Sequence, residues 1–157
     1  MSKRTPATVV LSREGVAFEI ASYDYDPGAE RIGLQAAEAL GEPARRVLKT
    51  LMAKVDGKPV CVVLPSDREV SMKKLAAAFG GKAAEMMAPA DAERLTGYRI
   101  GGISPFGQKR AVPTAIEAAA LDEPYVFVNA GQRGLQLRLD PRAAAKALGA
   151  TIAAVVA

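Results

Sequence analysis

Lys49 stands among apolar neighbours in VLKTL, residues 47 to 51. Strand alternation would set Val47, Lys49 and Leu51 on one face and Leu48 and Thr50 on the other. A lysine on such a face either carries its ammonium to the end of the sheet or lines a pocket, where desolvation lowers its pKa and makes it chemically useful. An exposed lysine on an edge strand has the same spacing. A second candidate is GYRIGGISPFGQKR, residues 97 to 110, with glycines at Gly97, Gly101, Gly102 and Gly107. So little side chain lets a ligand approach backbone N–H donors, as a developing oxyanion requires. The Gly-Lys-Ser/Thr ending of a phosphate-binding P-loop is absent. A tight connection with nothing bound has the same composition. A third is NAGQRG, residues 129 to 134, read as a glycine-bearing turn from which Asn129 and Arg133 could reach a ligand. Tyr23 and Tyr25, in SYDYDP, end a strand and enter a loop, a location that suits ligand contact.

Absences narrow the chemistry. The chain has no histidine and one cysteine, Cys61. Ser-His-Asp and Cys-His catalysis, and His- or thiolate-ligated zinc, are excluded. Proton transfer is left to Lys, Asp, Glu, Tyr, Cys61, water or the substrate. Cys61 sits in the apolar run VCVVLP and reads as an inert core thiol. A lone cysteine and an N-terminus without an apolar signal region point to the cytoplasm. A net charge of +4 suits a polyanionic partner such as RNA, or an ordinary basic surface. Lys73, Lys74, Lys82, Arg99, Lys109, Arg110, Arg133 and Arg138 could form a patch for a nucleic-acid backbone or a solvated face.

The elements that must position these residues follow from local signals. Thr5-Pro6 starts a helix that Gly15 stops. Residues 16 to 23 read as a strand, DYDPGAE (24 to 30) as a loop, and GLQAAEALG as a helix ended by Gly41. Asp56-Gly57 joins two apolar runs as a hairpin. Ser71 caps a short helix, a short strand lies near residues 84 to 86, and Pro89 opens another helix. PTAIEAAAL is ambiguous between strand and helix. EPYVFVNAGQRGLQLRLDP reads as a second hairpin, before a helix and a terminal strand. No linker or repeat divides the 157 residues. The expectation is one α+β domain, residues 1–157, with a mixed, barrel-like sheet flanked by helices.

Taken together, VLKTL, GYRIGGISPFGQKR and VNAGQRGLQL, with SYDYDP near the start, resemble the YbaK/EbsC family, freestanding relatives of the prolyl-tRNA synthetase editing domain. The resemblance spans the chain. It implies a trans-editing deacylase that hydrolyses mischarged Cys-tRNA(Pro), works with prolyl-tRNA synthetase, binds no DNA or membrane, and needs no cofactor or metal. It assigns catalysis to Lys49, Gly101 and Gly102, and substrate binding to Tyr23, Thr50, Ile103, Ser104, Pro105, Asn129 and Gly131. The Gly101 and Gly102 amides would hold the ester carbonyl, Lys49 would hold the terminal phosphate or ribose, and Lys109 and Arg110 would belong to the RNA-facing rim. The family's thiol-assisted route, in which the substrate's cysteine attacks its own ester and releases a thiolactone, fits a chain without histidine. Two alternatives stay open: a deacylase for Ala-tRNA(Pro) or another small amino acid, and a non-catalytic tRNA- or synthetase-binding module.

Overall fold

Two antiparallel hairpins organise the chain. The computed structural model describes residues 4–26 and 32–157. Helix α1 (Pro6–Arg13) begins where predicted: Thr5 and Thr8 form a reciprocal capping box and Pro6 fills the first turn. Strand β1 is Glu19–Ser22, shorter than the alternation suggested, because only these residues pair with β7. The predicted loop at 24 to 30 lies outside the described residues beyond Asp26. Helix α2 is Ile32–Leu40. Strands β2 (Leu48–Val55) and β3 (Lys58–Pro65) turn on Asp56 and Gly57. Helix α3 (Met72–Ala78), capped by Ser71, leads to β4 (Ala84–Met86) and to α4 (Pro89–Thr96). Then follow β5 (Thr114–Glu117), β6 (Val126–Gln132), β7 (Leu135–Leu139), α5 (Pro141–Leu148) and β8 (Thr151–Ala153).

The strands form two open sheets, ordered β1-β7-β6 and β4-β2-β3-β5-β8. The α+β class and the mixed pairing hold, since β3, β5 and β8 run parallel while the hairpins are antiparallel. The sheets do not close into the barrel-like form expected; a parallel bridge joins Val47 to Phe127 where they meet. The run VCVVL on β3 is apolar throughout because both its faces are covered. Cys61 and Val63 enter the core between the sheets, while Val60, Val62 and Leu64 pack with Leu75 and Ala76 of α3. Among the described residues no helix is long and apolar enough to cross a membrane.

The ambiguous PTAIEAAAL resolves as a strand followed by a 3-10 turn at Ala118–Asp122. Glu117 stands at the junction, buried, its carboxylate accepting from the Ala119 and Val155 N–H groups at 2.9 Å and from Val156 N–H at 3.2 Å. It therefore ties the C-terminal segment to the sheet. Glu117→Gln keeps one acceptor oxygen and turns an amide NH₂ toward a backbone donor. The expected loss is about 2 kcal/mol, read in thermal unfolding as a Tm lower by about 4–8 °C.

Candidate active site

The site begins as a gap in strand pairing. The Val47 carbonyl accepts from Ser66 N–H at 2.9 Å, on the β3 side, and the Met52 carbonyl accepts from Met87 N–H at 3.1 Å, on the β4 side. In an antiparallel strand, backbone groups alternate between edges. Odd-numbered residues of β2 thus address β3, and Leu48 and Thr50 address the opposite edge. On that edge β4 pairs only with residues 53 to 55, and the bridge to β6 lies at Val47. The divergence leaves a cleft of about 350 Å³ along β2. Val47 through Met52 on and beside β2, Met86, Met87, Pro89 and Ala92 around the start of α4, Ile100, Gly101 and Ile103 of the glycine segment, and Asn129 and Gln136 of the other sheet line it.

Lys49 carries the only charge among these lining residues, and no carboxylate joins it there. Its side chain is 21% exposed, with Nζ 3.9 Å from Oε1 of Glu69, whose side chain is 75% exposed. That tether is weak and leaves the ammonium free to meet an anion. Thr50 Oγ1 and Gln136 Oε1 are buried without a hydrogen-bond partner among the described residues. Buried polar atoms are normally satisfied; the Gln136 amide lies against the buried Tyr23 hydroxyl, which leaves Thr50 Oγ1 as the atom that marks a place for a polar group of a ligand. The strand pattern of β7 conceals Gln136: Leu135, Leu137 and Leu139 are buried as alternation requires, yet Gln136 is 4% exposed, and no local signal announces it. Met86 and Ile100, exposed apolar residues at the cleft, were also not legible as site residues.

The glycine segment is held from behind. Gly101, at φ +86°, faces the cleft, and a Cβ there would lie 3.0 Å from Tyr25 Oη. Asn129 is its strut: Nδ2 donates to the Gly101 carbonyl at 3.1 Å, while Oδ1 accepts from Gly131 N–H at 2.7 Å and Gln132 N–H at 3.2 Å. Among the described residues no hydrogen bond engages the Gly101 or Ile103 N–H. Gly102 differs from expectation. Its N–H is committed to the Arg99 carbonyl at 2.8 Å, and the residue is buried outside the cleft lining, so it does not offer a free oxyanion donor. It is glycine because a Cβ would lie 3.0 Å from the Arg133 backbone nitrogen.

The remaining predicted residues support the cleft without lining it. Ser104 is fully buried, its Oγ accepting from Phe106 N–H at 3.2 Å. Pro105 lines a second cavity of about 250 Å³ beneath the loop, with Val10, Phe106 and Gly107. Gly131 lies in β6, at a bulge between Asn129 and Gln132, and a Cβ there would lie 2.6 Å from Tyr98 Cε1. The turn predicted over 129 to 134 therefore narrows to Arg133 and Gly134, the two residues between β6 and β7. The Tyr23 hydroxyl is buried, which pushes its pKa up against the opposing pull of Gln136 and the Gly134 backbone. Tyr23 Oη completes no hydrogen bond among the described residues. The Lys109 and Arg110 N–H groups tie to the Thr96 and Leu95 carbonyls at the end of α4, and neither residue lines the cleft. Of the scattered cations, Lys74 donates to the Val156 carbonyl and Arg138 pairs with Glu19 over the Tyr125 ring.

Cys61 is fully buried, and desolvation pushes its thiol up to about 12. The thiolate is the reactive form. At pH 8 a maleimide should label the folded protein negligibly and the urea-unfolded protein completely; fast labelling of the folded form would contradict this burial.

Relatives share this frame. The family model "Aminoacyl-tRNA editing domain" matches residues 27–147. An Enterococcus faecalis protein named "Putative Cys-tRNA(Pro)/Cys-tRNA(Cys) deacylase EbsC" is 40% identical over 144 residues, 90% of this chain and 86% of that protein. The Escherichia coli "Multifunctional Ser/Thr-tRNA deacylase ProXp-y" is 32% identical over 101 residues, 62% of this chain and 58% of its own. An Anaeromyxobacter proline–tRNA ligase is 34% identical over 127 residues, 77% of this chain but 22% of the ligase. A crystal structure titled as "a putative trans-editing enzyme for prolyl tRNA synthetase" superposes with a TM-score of 0.84 over 97% of this chain and 95% of its own, at 21% identity, and so shares the fold. The open edge of β2, the braced glycine segment and these matches place the chain in one family: it belongs to the aminoacyl-tRNA editing domain family.

Proposed function

We propose that this protein, as one domain over residues 1–157, deacylates mischarged Cys-tRNA(Pro) in the cytoplasm, beside prolyl-tRNA synthetase. The carrying observation is an apolar cleft with a lysine, two loop N–H groups without a hydrogen-bond partner among the described residues and an unpaired Thr50 hydroxyl, but no histidine or carboxylate among its lining residues. Such a site confines and polarises a substrate and offers no histidine or carboxylate to activate water. The ester carbonyl oxygen would meet the Gly101 and Ile103 N–H groups, and Lys49 would hold the phosphate or ribose of the terminal nucleotide. The substrate's thiol sulfur then attacks the ester carbonyl. A carbon–sulfur bond forms, the carbon–oxygen ester bond breaks, and the thiol proton passes to the departing ribose oxygen. A thiolactone leaves, and water opens it to cysteine. Proline–tRNA ligases that carry the matching segment inside a longer chain support the choice of tRNA and of synthetase partner.

The unpaired Thr50 Oγ1 also favours a second reading, a side-chain hydroxyl in place of the thiol. That agrees with the name of the Escherichia coli relative, a Ser/Thr-tRNA deacylase. Both readings disfavour alanine, whose methyl group would leave Thr50 Oγ1 unsatisfied. The test is a panel of Cys-, Ser- and Ala-tRNA(Pro) with purified protein. Cys-tRNA(Pro) should lose its acyl group fastest and Ala-tRNA(Pro) no faster than in buffer. Faster loss of serine supports the second reading, and rapid loss of alanine overturns both.

A further inference from the structure

We propose that Arg133, braced on Tyr25, grips the phosphodiester that joins the last two nucleotides of the bound tRNA. The proposal rests on the deacylase reading and adds a second anchor to it. Arg133 occupies the β6–β7 turn and is exposed. Its Nε donates to the Ile100 carbonyl at 2.9 Å, and its guanidinium carbon lies 5.3 Å from the centroid of the Tyr25 ring. Both contacts sit at the lip of the cleft, because Ile100 and Gly101 line it and a Cβ on Gly101 would lie 3.4 Å from that same Nε. The guanidinium is thus held in place, while its Nη groups make no hydrogen bond among the described residues. No carboxylate among the described residues pairs with it. Glu93, on α4, is engaged by Ile100 N–H at 2.9 Å.

A fixed guanidinium with free Nη donors matches the two oxygens of a phosphodiester. Pre-ordering by the Tyr25 ring reduces the side-chain entropy lost on binding. The substrate requires such a group here. With the acyl ester inside the cleft, the terminal ribose lies at the mouth and its 5′-phosphate just outside, on a chain whose net charge is only +4. Lys49 on β2 and Arg133 on the β6–β7 turn would then contact the RNA end from two different elements.

The test uses Cys-tRNA(Pro), the phosphate-free ester cysteinyl-adenosine, and uncharged tRNA(Pro), with wild type, Arg133→Ala and Arg133→Lys. The preference for the tRNA ester over the adenosine ester, as a ratio of kcat/KM, should fall about 10- to 100-fold in Arg133→Ala, mainly through KM, with partial recovery in Arg133→Lys. In binding of uncharged tRNA, the slope of log affinity against log salt should become shallower by about 0.7. An unchanged ratio and slope would overturn the proposal, including the case where both esters slow equally because Arg133 only supports the loop. A wild type that cleaves neither ester, with the slope still shifted by Arg133→Ala, would overturn the deacylase reading and leave the phosphate contact standing.

Discussion

Lys49→Ala lowers the single-turnover rate on Cys-tRNA(Pro) by about 10²-fold, the cost of letting the reacting ester slip by about 1 Å once the contact that holds the terminal nucleotide is gone. Its fold should be untouched. The Lys49–Glu69 contact is long, at 3.9 Å, and Glu69 is largely solvated, so its contribution is about 1 kcal/mol or less. The backbone of β2 keeps its ladder to β3 whatever side chain stands at 49. A protein with wild-type Tm and almost no deacylation is therefore the expected result. Lys49→Arg should recover part of the rate, since it keeps the charge but not the compact ammonium. Full deacylation by Lys49→Ala would remove Lys49 from the reaction, and no deacylation by the wild type would favour a tRNA- or synthetase-binding module without catalysis.

Gly107→Ala is the largest stability effect expected. Its Cβ would land 2.5 Å from the Pro6 carbonyl carbon, 2.6 Å from its oxygen and 2.8 Å from Ala7 nitrogen. All three are backbone atoms, so no rotamer change relieves the clash. At φ +67° the backbone also disfavours any side chain. Left-handed strain and overpacking together cost about 3–5 kcal/mol, a Tm loss of about 10 °C or more. Helix α1 cannot retreat cheaply, because the Thr5 hydroxyl donates to the Ala130 carbonyl at 2.6 Å on β6. Gly149→Ala is the control: a Cβ there meets nothing within 4 Å. Equal Tm losses in the two variants would contradict the packing of α1 against the loop.

Local chemistry was legible wherever one element decides it. Thr5-Pro6, Asp56-Gly57 and Ser71 act within a few residues, and each forms the cap or turn its residue types favour. Lys49, Thr50, Gly101, Ile103 and Asn129 were named from short motifs, and the structure brings them to one cleft. The cleft itself was not legible, because it arises where β2 and β6, distant in sequence, touch at Val47 and Phe127 and then part. Gln136 was hidden for the same reason. Its burial depends on the neighbouring sheet, while its strand pattern alone points to solvent. That the Gly102 N–H is engaged was not legible, because glycine composition does not show which N–H is already taken by a carbonyl such as that of Arg99. The turn at NAGQRG was drawn too wide because a bulge keeps Asn129 to Gln132 in the strand.

The most direct measurement follows the acyl group on labelled Cys-tRNA(Pro) with the protein present at a small fraction of the RNA concentration. Repeated turnover, with free cysteine accumulating well beyond the amount of protein, is the predicted result. Ester loss no faster than in buffer would contradict the account.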